Sequence, residues 1–381
     1  MSTLHRRSCD VRIAFVVHDF NRTAGHSRYV YEHVVRLVGD HEVHVFANRF
    51  AELPPVSATA HHVPAFRATA LTTIVTFAVP ATVLVQGGFD IVHAQGFSIR
   101  KADVITAHIS NGRWLAARRG LEGAGLPLHE RLFGAVVTPL ERRALADPAT
   151  SVIAVSRALA HDLRTEYGRT APTTVIHHGV DGAQFNPGVC RHRNAVRAAL
   201  GIAEDAVVFL YVGDLRKGYV PSLAALAQVP GAHLVAVTRS DLADAGEQAS
   251  AAGVRTRVHL VAATDEVERY YGAADVFVLP TPYDAFGMVI TEAMACGLPV
   301  ITTPHAGASE LVVPGLHGHL VPEATDVAAL ARAMQHLASD QSARTAIGAA
   351  AASLMTGHTW DAVVSRTVGV YHEHLEKRAA S

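Results

Sequence analysis

Three cysteines in 381 residues are too few for a disulfide framework, and Cys9, Cys190 and Cys296 stand too far apart for metal-ligand spacing. A reducing, cytoplasmic setting is expected. An excess of one charge is also missing: 33 Lys and Arg against 34 Asp and Glu give a formal net charge of −1, which excludes a polyelectrolyte binder acting through its whole surface. Only 18% of residues are charged while 49% are hydrophobic, the opposite of a disordered chain. A single run, Ala68 to Val85, approaches the length of a membrane-spanning helix. Its threonines, Pro80 and the following Gln-Gly-Gly favour a buried or surface-docked helix instead. The opening MSTLHRRSCDVRIAFVV sets basic residues before an apolar run, but that run is short, ends at His18 and Asp19 and has no small-residue cleavage site. It reads as a first strand.

What the chain does have is a repeated alternation. Short β-branched runs (VRIAFVVH from Val11, HEVHVFA from His41, DIVHA from Asp90, ADVITAH from Ala102, SVIAVS from Ser151) alternate with helical patterns. Near-continuous Val/Ile strands between helices indicate parallel strands covered on both faces, hence a doubly wound α/β sheet. The segment VDGAQFNPGVCRHRN from Val180 is poor in apolar residues, and after it the pattern restarts with AVVFLYVG, HLVAVT, VHLVA, DVFVLP and LPVITT. At about 150 residues per domain the length fits two domains. The expected division is 1–183 and 184–360, with a terminal amphipathic helix over 361–381.

Two segments hold candidate chemistry. In PTPYDAFGMVITEAMACGLPV, from Pro280, a strand ends, a loop carries Tyr283 and Asp284, and a helix is expected from near Phe286 to Gly297. Helix N-termini present free N–H groups to phosphate oxygens. Glu292 is the only charge on an apolar helix, so it needs a partner. That partner is either another core side chain or a ligand hydroxyl. Asp284 reads equally as a helix N-cap. In YVGDLRKGYVP, from Tyr211, Arg216 and Lys217 lie in a strand–turn–helix where a pyrophosphate would sit, or else are two solvated loop cations. The spacing fits neither a Walker loop nor Gly-x-Gly-x-x-Gly.

These residues resemble glycosyltransferase family 4, enzymes of the GT-B fold with two Rossmann-like domains facing an interdomain cleft, and the resemblance runs along almost the whole chain. Its strongest part is the Glu-x7-Glu signature, here DAFGMVITEAMACGLPV. The resemblance implies that Glu292 binds the nucleotide ribose and Asp284, in place of glutamate, contacts the donor sugar. Backbone groups around Ala285, Phe286, Gly287 and Met288 would reach sugar and phosphate. Arg216 and Lys217, following Gly213, would hold the diphosphate. Ala24-Gly25 stands for the usual Gly-Gly, His108 for the histidine facing the transferred sugar, and His93 for a histidine common in DIVHAQ. His178 replaces an asparagine, and Asp214 replaces an arginine.

The implied activity is transfer of a sugar, with retention of anomeric configuration, from a nucleotide diphosphate sugar bound to the C-terminal domain. The acceptor, a small molecule, glycan or lipid-linked species, would lie on the N-terminal domain, with His18, His93, Arg113, Arg118 and Arg119 on its side. His108, Arg216 and Lys217 would carry the chemistry, and no metal is called for. The region 100–143 carries eight Lys and Arg against four acids and reads as a solvated face or as a peripheral membrane contact. No nucleic-acid motif accompanies it. Two other classes stay open: a 2-epimerase or phosphorylase of similar architecture, and a nucleotide-sugar-binding protein without catalysis.

Overall fold

The computed structural model describes residues 11–22, 25–52, 54–122 and 126–380. The chain forms two compact units: residues up to His178 together with Trp360 onward, and Gly179–Thr359. The division thus falls five residues before the expected position.

In the N-terminal unit the strands are β1 (Arg12–Val16), β2 (Asp19–Phe20), β3 (Glu42–Ala47), β4 (Arg49–Phe50), β5 (Thr59–His62), β6 (Ile91–Gln95), β7 (Val104–Ala107), β8 (Ser151–Ala154) and β9 (Thr173–Val175). Helices α1 (Gly25–Leu37), α2 (Ala70–Leu84), α3 (Asn111–Glu122), α4 (Leu128–Ala146) and α5 (Arg157–Thr165) connect them. Seven strands form one parallel sheet in the order β5-β3-β1-β6-β7-β8-β9, and β2 pairs with β4 beside it. Ile13, Phe15, Val45, Ile91, Val104 and Ile153 are among its buried strand residues. The doubly wound reading of the sequence holds. The apolar run at Ala68–Val85 becomes the 15-residue α2, and among the described residues no helix is long and apolar enough to cross a membrane.

The second unit contains α6 (Arg193–Leu200), β10 (Val208–Val212), α7 (Tyr219–Leu226), β11 (His233–Thr238), α8 (Leu242–Ala251), β12 (Val258–Ala262), α9 (Glu268–Ala273), β13 (Val276–Leu279), α10 (Met288–Ala295), β14 (Val300–Thr302), β15 (Gly318–Leu320), α11 (Val327–Ser339) and α12 (Gln341–Met355). Its parallel sheet runs β12-β11-β10-β13-β14-β15. In each sheet the winding direction reverses once, between β1 and β6 and between β10 and β13. Loops leaving the carboxyl ends of strands at such a reversal diverge to opposite faces and leave a crevice, the usual ligand position in open α/β sheets.

The last helix, α13 (Trp360–Ala380), belongs to the N-terminal unit. Trp360 is 1% exposed. His33 Nε2 lies 3.1 Å from Thr367 Oγ1, and His93 Nδ1 lies 2.6 Å from Tyr371 Oη. Arg36 pairs with Asp361 at 2.8 Å, and Arg366 donates to the Val175 carbonyl at 2.6 Å. The helix is therefore fixed by buried polar contacts to α1 and β6 and by charged contacts at its rim.

Candidate active site

The loop after β10 is built by its own side chains. Asp214 accepts from the backbone N–H of Arg216 at 2.9 Å and caps a single 3-10 turn, Leu215–Lys217. Gly218 closes the turn at φ 97°, and a Cβ there would fall 2.2 Å from the Pro280 carbonyl oxygen. Only glycine allows the two loops at the reversal point to touch this closely. That contact brings Lys217 Nζ to 2.6 Å from Asp284 Oδ2. The carboxylate charge raises the Lys217 pKa above its usual value, against the effect of burial. The Asp284 side chain is 14% exposed and that of Lys217 39%.

The loop after β13 is zipped to the loop after β14. Asp284 donates its N–H to His305 O at 3.0 Å and accepts from Gly307 N–H at 2.9 Å, while Phe286 O accepts from Ala308 N–H at 2.6 Å. Gly287, at φ 88° and ψ 63°, turns the chain into α10. The helix starts at Met288, two residues after the expected start, because Gly287 is left-handed; it ends at Ala295, before Gly297. No side chain caps its first N–H groups, and the Asp284 carboxylate lies against the helix start: its Oδ1 accepts from Phe286 N–H at 3.3 Å, and a Cβ on Gly287 would fall 3.5 Å from its Cγ. A cation, a carboxylate and a helix N-terminus are thereby fixed together, an arrangement able to bind a phosphate and a hydroxyl at once.

Glu292 lies on α10 and is 6% exposed, and Tyr271 Oη donates to its Oε2 at 3.2 Å. The buried carboxylate thus has the protein partner that its burial requires. Arg216 is paired within its own loop. Its Nε and Nη2 donate to the two carboxylate oxygens of Asp214 at 2.8 and 2.7 Å, and this fork holds the Asp214 carboxyl below its usual pKa. Gly213 donates its N–H to the Val237 carbonyl at 3.0 Å, tying the loop to β11.

In the N-terminal unit a second polar group collects at the carboxyl ends of β1, β6 and β7. His108 follows β7, and its Nε2 lies 2.7 Å from Gln95 Oε1, the last residue of β6. Its ring stacks on His178 at 5.4 Å and 12°, meets Tyr29 edge-on at 5.0 Å, and lies 6.1 Å from His26. Burial, then the neighbouring imidazoles, push the His108 pKa well below the usual histidine range, and burial brings His18 to about 4. With Gln95 accepting from Nε2–H, Nδ1 of His108 is left as an unprotonated acceptor. His18 Nε2, Ser27 Oγ, Gln95 Nε2 and His108 Nδ1 are buried with no hydrogen-bond partner among the described residues. Buried polar atoms are normally paired, so a cluster of unsatisfied donors and acceptors marks a place for a polar ligand or water.

Several expected residues are placed elsewhere. His93 is 0% exposed, with Nε2 2.7 Å from Thr106 Oγ1 and Nδ1 on Tyr371; it joins β6 to β7 and α13. Arg118 pairs with Glu130 of α4 at 3.1 Å, both largely buried, so it ties two helices together instead of forming an open basic surface. Arg113 and Arg119 are exposed on α3. Gly25 opens α1, and a Cβ there would meet nothing within 4 Å; Ala24 and Cys9 lie outside the described residues. Gln95 was missed by sequence reasoning, although the last residue of a strand at a winding reversal is where the fold places ligand contacts.

Comparison with known proteins accounts for both halves. Residues 23–184 match the family model described as glycosyltransferase family 4, and residues 192–354 that of glycosyl transferases group 1. A protein of Catenulispora acidiphila named D-inositol 3-phosphate glycosyltransferase 1 is 29% identical over 315 residues, which is 76% of this chain and 73% of that one. The D-inositol 3-phosphate glycosyltransferase of Kribbella flavida is 30% identical over 258 residues, 62% of this chain but only 59% of its own length. The crystal structure of WaaG, a glycosyltransferase involved in lipopolysaccharide biosynthesis, superimposes with a TM-score of 0.80 at 19% identity, over 94% of this chain and 99% of that one.

Proposed function

Since the chain belongs to glycosyltransferase family 4 and has the GT-B fold, we propose that it transfers a sugar from a nucleotide diphosphate sugar to a hydroxyl acceptor with retention of configuration. The observation that carries this reading is the Lys217–Asp284 pair set against the N-terminus of α10 at the winding reversal of the second sheet. Lys217 takes the diphosphate, the N–H groups of α10 share its charge, and Asp284, released from Lys217, accepts from sugar hydroxyls. Glu292 recognises the ribose. Departure of the diphosphate is stabilised by these fixed groups, so no metal is required.

The acceptor lies against the unsatisfied atoms of the N-terminal unit, with His108 Nδ1 accepting from its hydroxyl. A general base works best with a pKa near the working pH. Burial holds His108 far below that, which suits a hydrogen-bond acceptor that orients the nucleophile. An inverting enzyme would need a true base there, and a double displacement would need a free carboxylate across the sugar. In this reading Asp284 is engaged by the sugar hydroxyls and Glu292 by the ribose, so neither is free to act as a nucleophile. Departure of the diphosphate on the face the acceptor attacks leaves the proton to the leaving phosphate.

The test is to screen nucleotide sugars by thermal shift, then follow the product's anomeric proton by NMR during early turnover. Retention with an α-linked donor is the expected result, unchanged by EDTA. An inverted linkage would overturn the stereochemical reading and make His108 the base. The Arg216–Asp214 fork favours a second reading, a protein that binds a nucleotide sugar without transfer. A thermal shift with no transfer to any acceptor in a broad panel would select it.

A further inference from the structure

The N-terminal unit carries two apolar rows that no element covers among the described residues. On α2, Val75, Val79 and Val83 recur every four residues and are 37%, 58% and 60% exposed. On α4, Leu128, Leu132 and Val136 recur at the same spacing and are 68%, 51% and 40% exposed. The two helices pack on each other. Each buries its opposite side, through Phe77, Ala78 and Ala81 on α2 and through Val137, Glu141 and Leu145 on α4. With a helical repeat of 3.6 residues, both rows therefore point outward. Phe66, 65% exposed, leads into α2. Single exposed aliphatics are ordinary; two adjoining rows are not.

We propose that this face of α2 and α4 is a docking surface for an anionic membrane. Charge sorting selects that occupant. Helix α2 has no charged residue at all. On α4 the acids are buried and engaged, Glu130 with Arg118 and Glu141 with Asn111. The exposed charges of α4 are all cations: Arg131, Arg142 and Arg143. The Arg100 N–H donates to Thr82 Oγ1 at 3.2 Å, which sets the exposed Arg100 and Lys101 beside the C-terminal half of α2. Apolar rows rimmed mainly by cations, with the exposed Asp147 only at the C-terminal end of α4, match acyl chains beneath acidic headgroups. A second copy of the same face would set these cations against one another. At 15 residues α2 is about 22 Å long, too short to span a hydrocarbon core of about 30 Å, so it lies in the interface.

The surface is independent of the transfer reaction and is tested without it. The full chain is sedimented with vesicles of phosphatidylcholine alone and of phosphatidylcholine mixed equally with phosphatidylglycerol, at low and high salt. Binding to the anionic vesicles that weakens with salt is expected. The double variant Val79→Asp, Leu132→Asp should lower partitioning roughly tenfold or more. Both positions face solvent, so its thermal transition should stay that of the wild type, while Val79→Leu, Leu132→Ile should bind as the wild type does. Failure of the wild type to sediment with anionic vesicles at low salt would overturn the proposal, as would equal binding by the aspartate variant. Conversion of a wild-type dimer to a monomer by the same variant would assign the face to a second copy and overturn it too.

Discussion

Acidification should unfold the N-terminal unit before the second unit. His33 is fully buried, with Nδ1 2.7 Å from Tyr29 O and Nε2 on Thr367, and burial brings its pKa to about 4. In the unfolded chain it returns to about 6.5. Between these values the unfolded state binds the extra proton, so stability is full above about 6.5 and falls as the pH drops toward 4. From pH 7 to pH 5 this single group costs about 2 kcal/mol. His18, near 4, and His178, near 3, act in the same direction. Glu141 acts oppositely. Burial raises its pKa to about 7, so its contribution grows as the pH falls, offsetting about one histidine. The net loss by pH 5 is roughly 2 kcal/mol or more, which moves a urea midpoint down by about 1 M. Both tryptophans, Trp114 and Trp360, lie in this unit, so their fluorescence during urea unfolding reports on it alone. Glu141→Gln should steepen the dependence. Equal midpoints at pH 5 and pH 7 would refute the reasoning.

Lys217→Ala should lower transfer on the order of a hundredfold with the fold intact, as loss of a fixed charge at a leaving group does; steady-state activity within twofold of wild type would remove the residue from the diphosphate site. Asp214→Asn should free Arg216 and tighten nucleoside diphosphate binding no more than about fivefold, because an exposed pair is worth about 1 kcal/mol at most. A weaker calorimetric affinity would mean that Asp214 itself touches the ligand. Glu292→Gln should weaken nucleotide binding while the thermal midpoint moves little, since Tyr271 can donate to an amide oxygen as well; the reverse pattern would make Glu292 a core partner only.

The alternation of apolar strands and helices was legible in sequence because strands buried on both faces leave little choice but Val and Ile. The pairing of Lys217 with Asp284 was half legible: the two loops could be named, but their contact depends on Gly218 fitting against Pro280, which spacing alone does not reveal. His93 and Gln95 show the limit most clearly. They lie on the same side of β6, two residues apart, yet one is sealed under α13 and the other ends the strand beside His108. Depth along a strand, not residue type, separates them. Arg118 was misplaced for a related reason: a run of cations fixes net charge, while helix phase decides which cation turns inward to Glu130.

The route of the chain through the N-terminal unit has a consequence for synthesis. Its closing helix, α13, is separated from the rest of the unit by the whole of Gly179–Thr359. A ribosome making this chain presents 181 residues of the second unit before Trp360 emerges. During that interval His33 and His93 lack Thr367 and Tyr371, and the site of Trp360 stays open. The second unit, contiguous in sequence, can complete its fold first, while the first waits as a partly covered sheet for its final segment. Translation order and assembly order are therefore inverted: the half begun first is the half finished last.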